Sequence, residues 1–245
     1  MAALFKKIEI PVRMCYNNRS NKKGSDNLIN LPENIRAVIF DLDGTLIISS
    51  HVWGDIDRKF LSKRGLEVPE DYFKRISCMN FNEGAVYTIE RFGLDERPED
   101  IIEEWFSMAR FEYEHNIKMK DGAADYLRRL KSRGIKLGLA TASSPQLYIP
   151  VLKNNGVYDL FDAFASTEEV SRSKLHADVY LYTAGKLGTA VRDCAVFEDV
   201  IEGIKSASQA GFFTCACLDD YYSCDHEQMK QLADISFTRY GGDGE

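Results

Sequence analysis

Five short apolar runs, separated by stretches of helical periodicity, set the architecture of this chain. Ile35 to Phe40, Ile135 to Thr141, Ala163 to Ser166, Cys194 to Asp199 and Phe212 to Leu218 are rich in Ile, Val, Leu, Phe, Ala and Cys. Runs this short and continuous fit strands covered on both faces, as in a parallel sheet. Helical spacing in Gly122 to Arg133, Pro145 to Asn155, Ala177 to Leu187 and Ile201 to Ala210 falls between them. Strands that alternate with amphipathic helices predict βαβ units. The expected fold class is α/β, with a Rossmann-like three-layer core built on a parallel sheet.

One long stretch, residues 50–118, breaks the alternation. It has helical periodicity and no convincing strand. Pro98, Glu99 and Asp100 suit a helix start, with proline at the first position and acids in the first turn. Gly65 and Gly93 suit helix stops. The aromatics here, from Trp53 and Phe60 through Tyr72 and Trp105 to Phe111 and Tyr113, predict a small helical core. An all-helical insertion directly after a chemically loaded strand also suits a lid that excludes water. Residues 1–34 differ again, being basic and Asn/Ser/Gly-rich, with room for a short strand at Leu4 to Val12. The expected organisation is an N-terminal extension (1–34), a core (35–49 and 119–240) and a helical cap (50–118).

Composition narrows the class of protein. With 245 residues, 44% hydrophobic and 28% charged, the chain reads as an ordinary soluble globular protein. Its net charge of −7 gives no electrostatic footprint for nucleic acid or an anionic membrane. Six cysteines without paired CxxC spacing argue against zinc and for reduced thiols in a cytoplasmic protein. No stretch approaches the roughly 18 apolar residues of a membrane span. Lys6, Lys7, Glu9 and Arg13 interrupt what would be the apolar core of a signal peptide.

Candidate chemistry sits where the apolar runs end. The first run stops abruptly at Asp41-Leu42-Asp43-Gly44-Thr45. Ligands of parallel sheets collect beyond the carboxyl ends of strands, and two acids there suit a hard cation. A calcium loop of the EF-hand type is excluded, because Gly44 comes too early and the flank is a strand. Three further polar clusters lie at strand ends or in a nearby loop: Thr141-Ala142-Ser143, Lys174 four residues before Asp178, and Glu198-Asp199. Together the four are chemically complementary to phosphate and a divalent cation. The four histidines make no metal spacing, and Gly185-Lys186 lacks the rest of a phosphate-binding loop.

From Ile35 to about Phe237 the sequence resembles the haloacid dehalogenase (HAD) superfamily. Phe40-Asp41-Leu42-Asp43-Gly44-Thr45 is similar to its first motif, Thr141 to its second and Lys174 to its third. Phe197-Glu198-Asp199 with Gly203 is similar to its fourth. The insertion resembles the C1 cap of the phosphoglycolate phosphatase and β-phosphoglucomutase branch. Two departures stand out: Ile48-Ser49 replaces the usual Asp-Ser after motif one, and Leu175 and Ala177 replace the prolines of motif three.

The resemblance implies a Mg²⁺-dependent phosphomonoester hydrolase acting on a small phosphorylated metabolite, a sugar phosphate being the expected class. Asp41 would be the nucleophile that becomes an aspartyl-phosphate, and Asp43 the general acid and base. Mg²⁺ would be held by Asp41, the Asp43 main-chain carbonyl and Asp199, with Glu198 a direct or supporting ligand. Lys174, Thr141, Ala142 and Ser143 would bind the phosphate. The chain would act as a monomer or weak homodimer, with no nucleic-acid or membrane partner. The second reading is a β-phosphoglucomutase-like mutase. Trp53, standing where those mutases carry a cap histidine, and Thr45 both favour hydrolysis. A non-catalytic binding protein is the third reading, opposed by the presence of every required side chain.

Overall fold

A computed structural model of the protein describes residues 29–69, 71–76, 81–170, 172–219 and 225–241. The strand expected at Leu4 to Val12, and Cys15, Cys78 and Cys224, lie outside the described residues. In chain order the elements are β1 (Ala37–Phe40), α1 (Val52–Lys63), α2 (Tyr72–Ile76), α3 (Phe81–Phe92) and α4 (Pro98–His115). Next come α5 (Ala123–Ser132), β2 (Lys136–Thr141), α6 (Pro145–Asn154), β3 (Ala163–Ser166), α7 (Thr167–Val170) and α8 (Asp178–Leu187). Then follow β4 (Cys194–Glu198), α9 (Ile201–Gln209), β5 (Phe213–Cys217), α10 (His226–Leu232) and β6 (Ile235–Phe237).

The strands form one parallel sheet in the order β3-β2-β1-β4-β5-β6. Alternation along β1 shows why both faces are apolar. Val38 and Phe40 join one core with Tyr126, Leu127 and Leu130 of α5 and Val151 of α6. Ala37 and Ile39 join a second core with Val179, Tyr180 and Leu187 of α8 and Ala207 of α9. Side chains of a strand alternate across the sheet, so an uninterrupted apolar run serves two layers at once. The five expected strands are all present. β6, a three-residue edge strand, is additional, as is the short α10 before it.

The inserted region is helical, as expected. Gly65 and Gly93 follow α1 and α3 with φ of 70° and 64°, a left-handed conformation that glycine adopts without a Cβ clash. Pro98 opens α4. The aromatics divide: Phe60, Tyr72, Trp105 and Tyr113 are buried, whereas Trp53 and Phe111 are exposed. The chain leaves for these helices and returns through a paired crossing. Ile48 N–H donates to Lys118 O at 3.0 Å and Lys120 N–H to Leu46 O at 2.8 Å. Ile47 bridges both Asp43 and Met119. Buried Leu42, Leu46 and Ile47 carry the apolar core continuously from the sheet into Val52, Ile56 and Phe60.

Asp57 is buried on α1 within this core. Burial raises its carboxyl from 3.8 to about 7, against the opposing pull of Arg58. The folded state therefore holds a proton that the unfolded chain releases, and stability falls as pH rises from 3.8 to about 7. Asp57→Asn should flatten that dependence and raise the melting temperature above pH 7, read by calorimetry across the window. A variant that melts like the parent at every pH would contradict this.

Candidate active site

The register of β1 against β4 dictates which acids meet. Phe40 pairs with Phe197, so Asp41, one residue further, stands level with Glu198. Asp41 N–H donates to Phe197 O at 2.9 Å, extending the ladder to the edge of the site. Carboxylate oxygens of Asp41, Glu198 and Asp199 lie within 4.8 Å of one another, and all three residues are buried. The Lys174 ammonium donates to Asp41 Oδ1 and, at 3.1 Å, to Glu198 Oε2. Thr45 Oγ1 donates to Asp199 Oδ1 at 3.1 Å.

Two glycines make room for this crowding. A Cβ on Gly44 would overlap the Asp199 carboxylate, and its φ of 74° also resists a side chain. A Cβ on Gly203, in the first turn of α9, would stand 2.6 Å from Glu198 Oε1. The Lys174 loop is pinned to α9 by Ser206 Oγ–H, which donates to Lys174 O at 2.9 Å. Leu175 is exposed and Ala177 stands at the residue before α8, and with these departures from the motif prolines Lys174 is still in reach of both acids.

Burial first, and then neighbouring charge, raises the Asp41, Glu198 and Asp199 carboxyls above their ordinary values despite the pull of Lys174: Asp43 repels Asp41, while Asp41 repels Glu198 and Asp199. Burial alone would lower Lys174, but Asp41 and Glu198 hold it well above the usual lysine value. Lys174 alone pairs directly with these acids among the described residues, and Lys120, which acts on Asp199, is already bonded to Asp219, so the cluster has capacity for a divalent cation. All-oxygen donors suit a hard metal ion.

Asp43 takes a different position. Its carboxylate accepts hydrogen bonds from Ser143 Oγ at 2.7 Å and from the Tyr113 hydroxyl of α4. Its side chain is therefore engaged apart from the grouping of Asp41, Glu198 and Asp199, although its charge still acts on Asp41. The turn after β2 organises Ser143, whose N–H donates to Thr141 Oγ1 at 2.9 Å. Thr141 is fully buried and Ala142 is exposed at the start of that turn. α6 begins immediately beyond it, and the first N–H groups of a helix lack partners within the helix and suit an anion. The structure thus brings all the expected residues to one edge of the sheet. Sequence reasoning missed Tyr113, whose hydroxyl reaches the site from the inserted helices, and the roles of Thr45 and Ser206.

Fold and site together define an α/β protein with a buried group of acids at the carboxyl edge of a parallel sheet. Residues 35–211 match the haloacid dehalogenase-like hydrolase model, and the chain belongs to that family. It is 29% identical over 211 residues to the bifunctional riboflavin kinase/FMN phosphatase of Arabidopsis thaliana, covering 84% of this chain and 55% of that protein. The chain thus spans little more than half the length of that relative. It is 30% identical over 185 residues to hexitol phosphatase B of Escherichia coli K12, covering 73% of this chain and 82% of that one. Among solved structures, a family IA, variant 3 HAD hydrolase of Entamoeba histolytica superposes with a TM-score of 0.68. That match has 26% identity and covers 84% of this chain and 94% of the other.

Gly44→Ala and Gly203→Ala should each displace one acid of the cluster. The expected outcome is a folded protein whose melting temperature no longer rises on titration with Mg²⁺, while the parent's does. Equal Mg²⁺ stabilisation in all three proteins would count against the cluster as a metal centre.

Proposed function

We propose that the chain is a Mg²⁺-dependent phosphomonoester hydrolase acting on a small phosphorylated metabolite of the sugar-phosphate class. The observation that carries the reading is Asp41, buried at a strand end and bonded to Lys174, with two further acids beside it. Residues 35–49 and 119–240 form the catalytic core, residues 50–118 the cap, and 1–34 an extension without an assigned role.

In the first half-reaction an Asp41 carboxylate oxygen attacks phosphorus, and the bond from phosphorus to the ester oxygen breaks. Asp43 gives its proton to the departing alcohol. In the second, Asp43 takes a proton from water, whose oxygen attacks the aspartyl-phosphate and releases inorganic phosphate. Lys174 offsets the charge on Asp41 and on a phosphoryl oxygen. Thr141, Ala142 and Ser143, through the turn and the start of α6, hold the remaining oxygens. Asp41, Asp199, the Asp43 carbonyl and Glu198, directly or through Lys174, would hold Mg²⁺. Bound there, Mg²⁺ supplies charge compensation between the carboxylates and the phosphoryl group.

The phosphatase names of the Arabidopsis and Escherichia coli relatives support hydrolysis over a mutase reaction. Phosphate release from a panel of sugar, polyol and nucleotide monoesters is the direct test. Release with Mg²⁺, its loss in EDTA and its absence in Asp41→Asn are the expected outcomes. Lys174→Met should lower kcat by about 10²-fold or more, as expected for an electrostatic contact to the reacting group. No release from any ester, or full activity in Asp41→Asn, would overturn the reading.

A further inference from the structure

The Asp43 carboxylate is gripped from two sides by groups of different origin. Ser143 belongs to the turn after β2, on the sheet side. Tyr113 belongs to the last turn of α4, within the inserted helices and 70 residues along the chain. Ile101, Trp105, Ala109 and Tyr113 form the buried stripe of α4, each four residues from the last. Packing explains the ring of Tyr113 but not its hydroxyl, which a phenylalanine would lack. Burial and the neighbouring Asp43 charge hold that hydroxyl well above the ordinary tyrosine value, so it remains a donor.

We propose that Tyr113 is a positioning residue that fixes the orientation of the Asp43 carboxyl group and makes that orientation depend on where the inserted helices sit. The proposal rests on the acid–base role given to Asp43 above. A carboxylate has about two acceptor sites on each oxygen. Tyr113 and Ser143 occupy one on each, which leaves a free site on each for the proton that Asp43 gives to the ester oxygen or for a water that donates to the carboxylate. The grip therefore holds the group without blocking it. Proton transfer needs the donor within hydrogen-bond reach of the leaving oxygen, and small misplacements are costly. Because α4 carries one of the two holding groups, Asp43 is fully oriented only when α4 lies against the core as it does here.

The test uses the dependence on leaving group. Departure of a primary alkoxide requires protonation, whereas p-nitrophenolate departs without it. kcat/KM reports the steps up to that departure. The full chain, its Tyr113→Phe variant and Asp43→Asn would be compared with p-nitrophenyl phosphate and with the best alkyl ester of the panel, at saturating Mg²⁺. Tyr113→Phe should lose about tenfold in kcat/KM with the alkyl ester, a fraction of a full general-acid contribution. With the aryl ester it should lose less than about threefold on the same scale. The aryl-ester rate also reports that the variant is folded. Equal losses with both esters would reduce Tyr113 to a packing residue, and no loss with either would remove it from the reaction; both overturn the proposal. Asp43→Asn should show the same selectivity more strongly. If it does not, the acid–base assignment fails, independently of Tyr113.

Discussion

The site depends on one electrostatic imbalance: among the described residues, three carboxylates share a buried space in which Lys174 is the ammonium that pairs with them, while Lys120, bonded to Asp219, acts on Asp199 from further off. Burying charge is unfavourable unless it is paired. Lys174 pairs directly with two of the acids, and Thr45 donates to the third. The remaining negative charge is built into the sheet, because the register of β1 and β4 leaves Asp41 and Glu198 no alternative position. Gly44 and Gly203 leave the acids the room that a side chain at either position would take. Such a cluster costs stability, which the two apolar cores flanking the sheet offset.

The same sheet explains how chemistry and access are linked. The apolar core does not stop at the sheet edge; it passes through Leu42, Leu46 and Ile47 into α1. Those residues belong to the loop that also carries Asp43. The inserted helices therefore touch the loop by packing as well as through the Tyr113 hydroxyl. A lid connected only by flexible linkers would lack both routes.

Sequence revealed the parts whose side chains advertise their role. β1, β2 and β4 are apolar on both faces and end in Asp41, Thr141 and Glu198, so element and site were read from the same residues. β6 escaped because Ile235–Phe237 is three residues long, with exposed Ser236 at its centre. A run that short has no measurable period. Tyr113 escaped for another reason. It occupies a core position of an amphipathic helix, and an aromatic there reads as packing. Only the fold shows that the last turn of α4 ends beside Asp43. Thr45 and Ser206 are ordinary hydroxyls whose partners, Asp199 and the Lys174 carbonyl, are distant in sequence.

The paired crossing at Ile48 and Lys118 bears on how this architecture diversifies. The ends of the inserted segment are hydrogen-bonded neighbours, so the strand pairings do not depend on the length of what lies between them. Loop-closure entropy rises by only about 0.6 kcal/mol for each doubling of length. Helices can be lengthened, exchanged or re-aimed there without disturbing a single strand pairing. Selection can thus revise the inserted helices while the acids at the sheet edge are inherited unchanged.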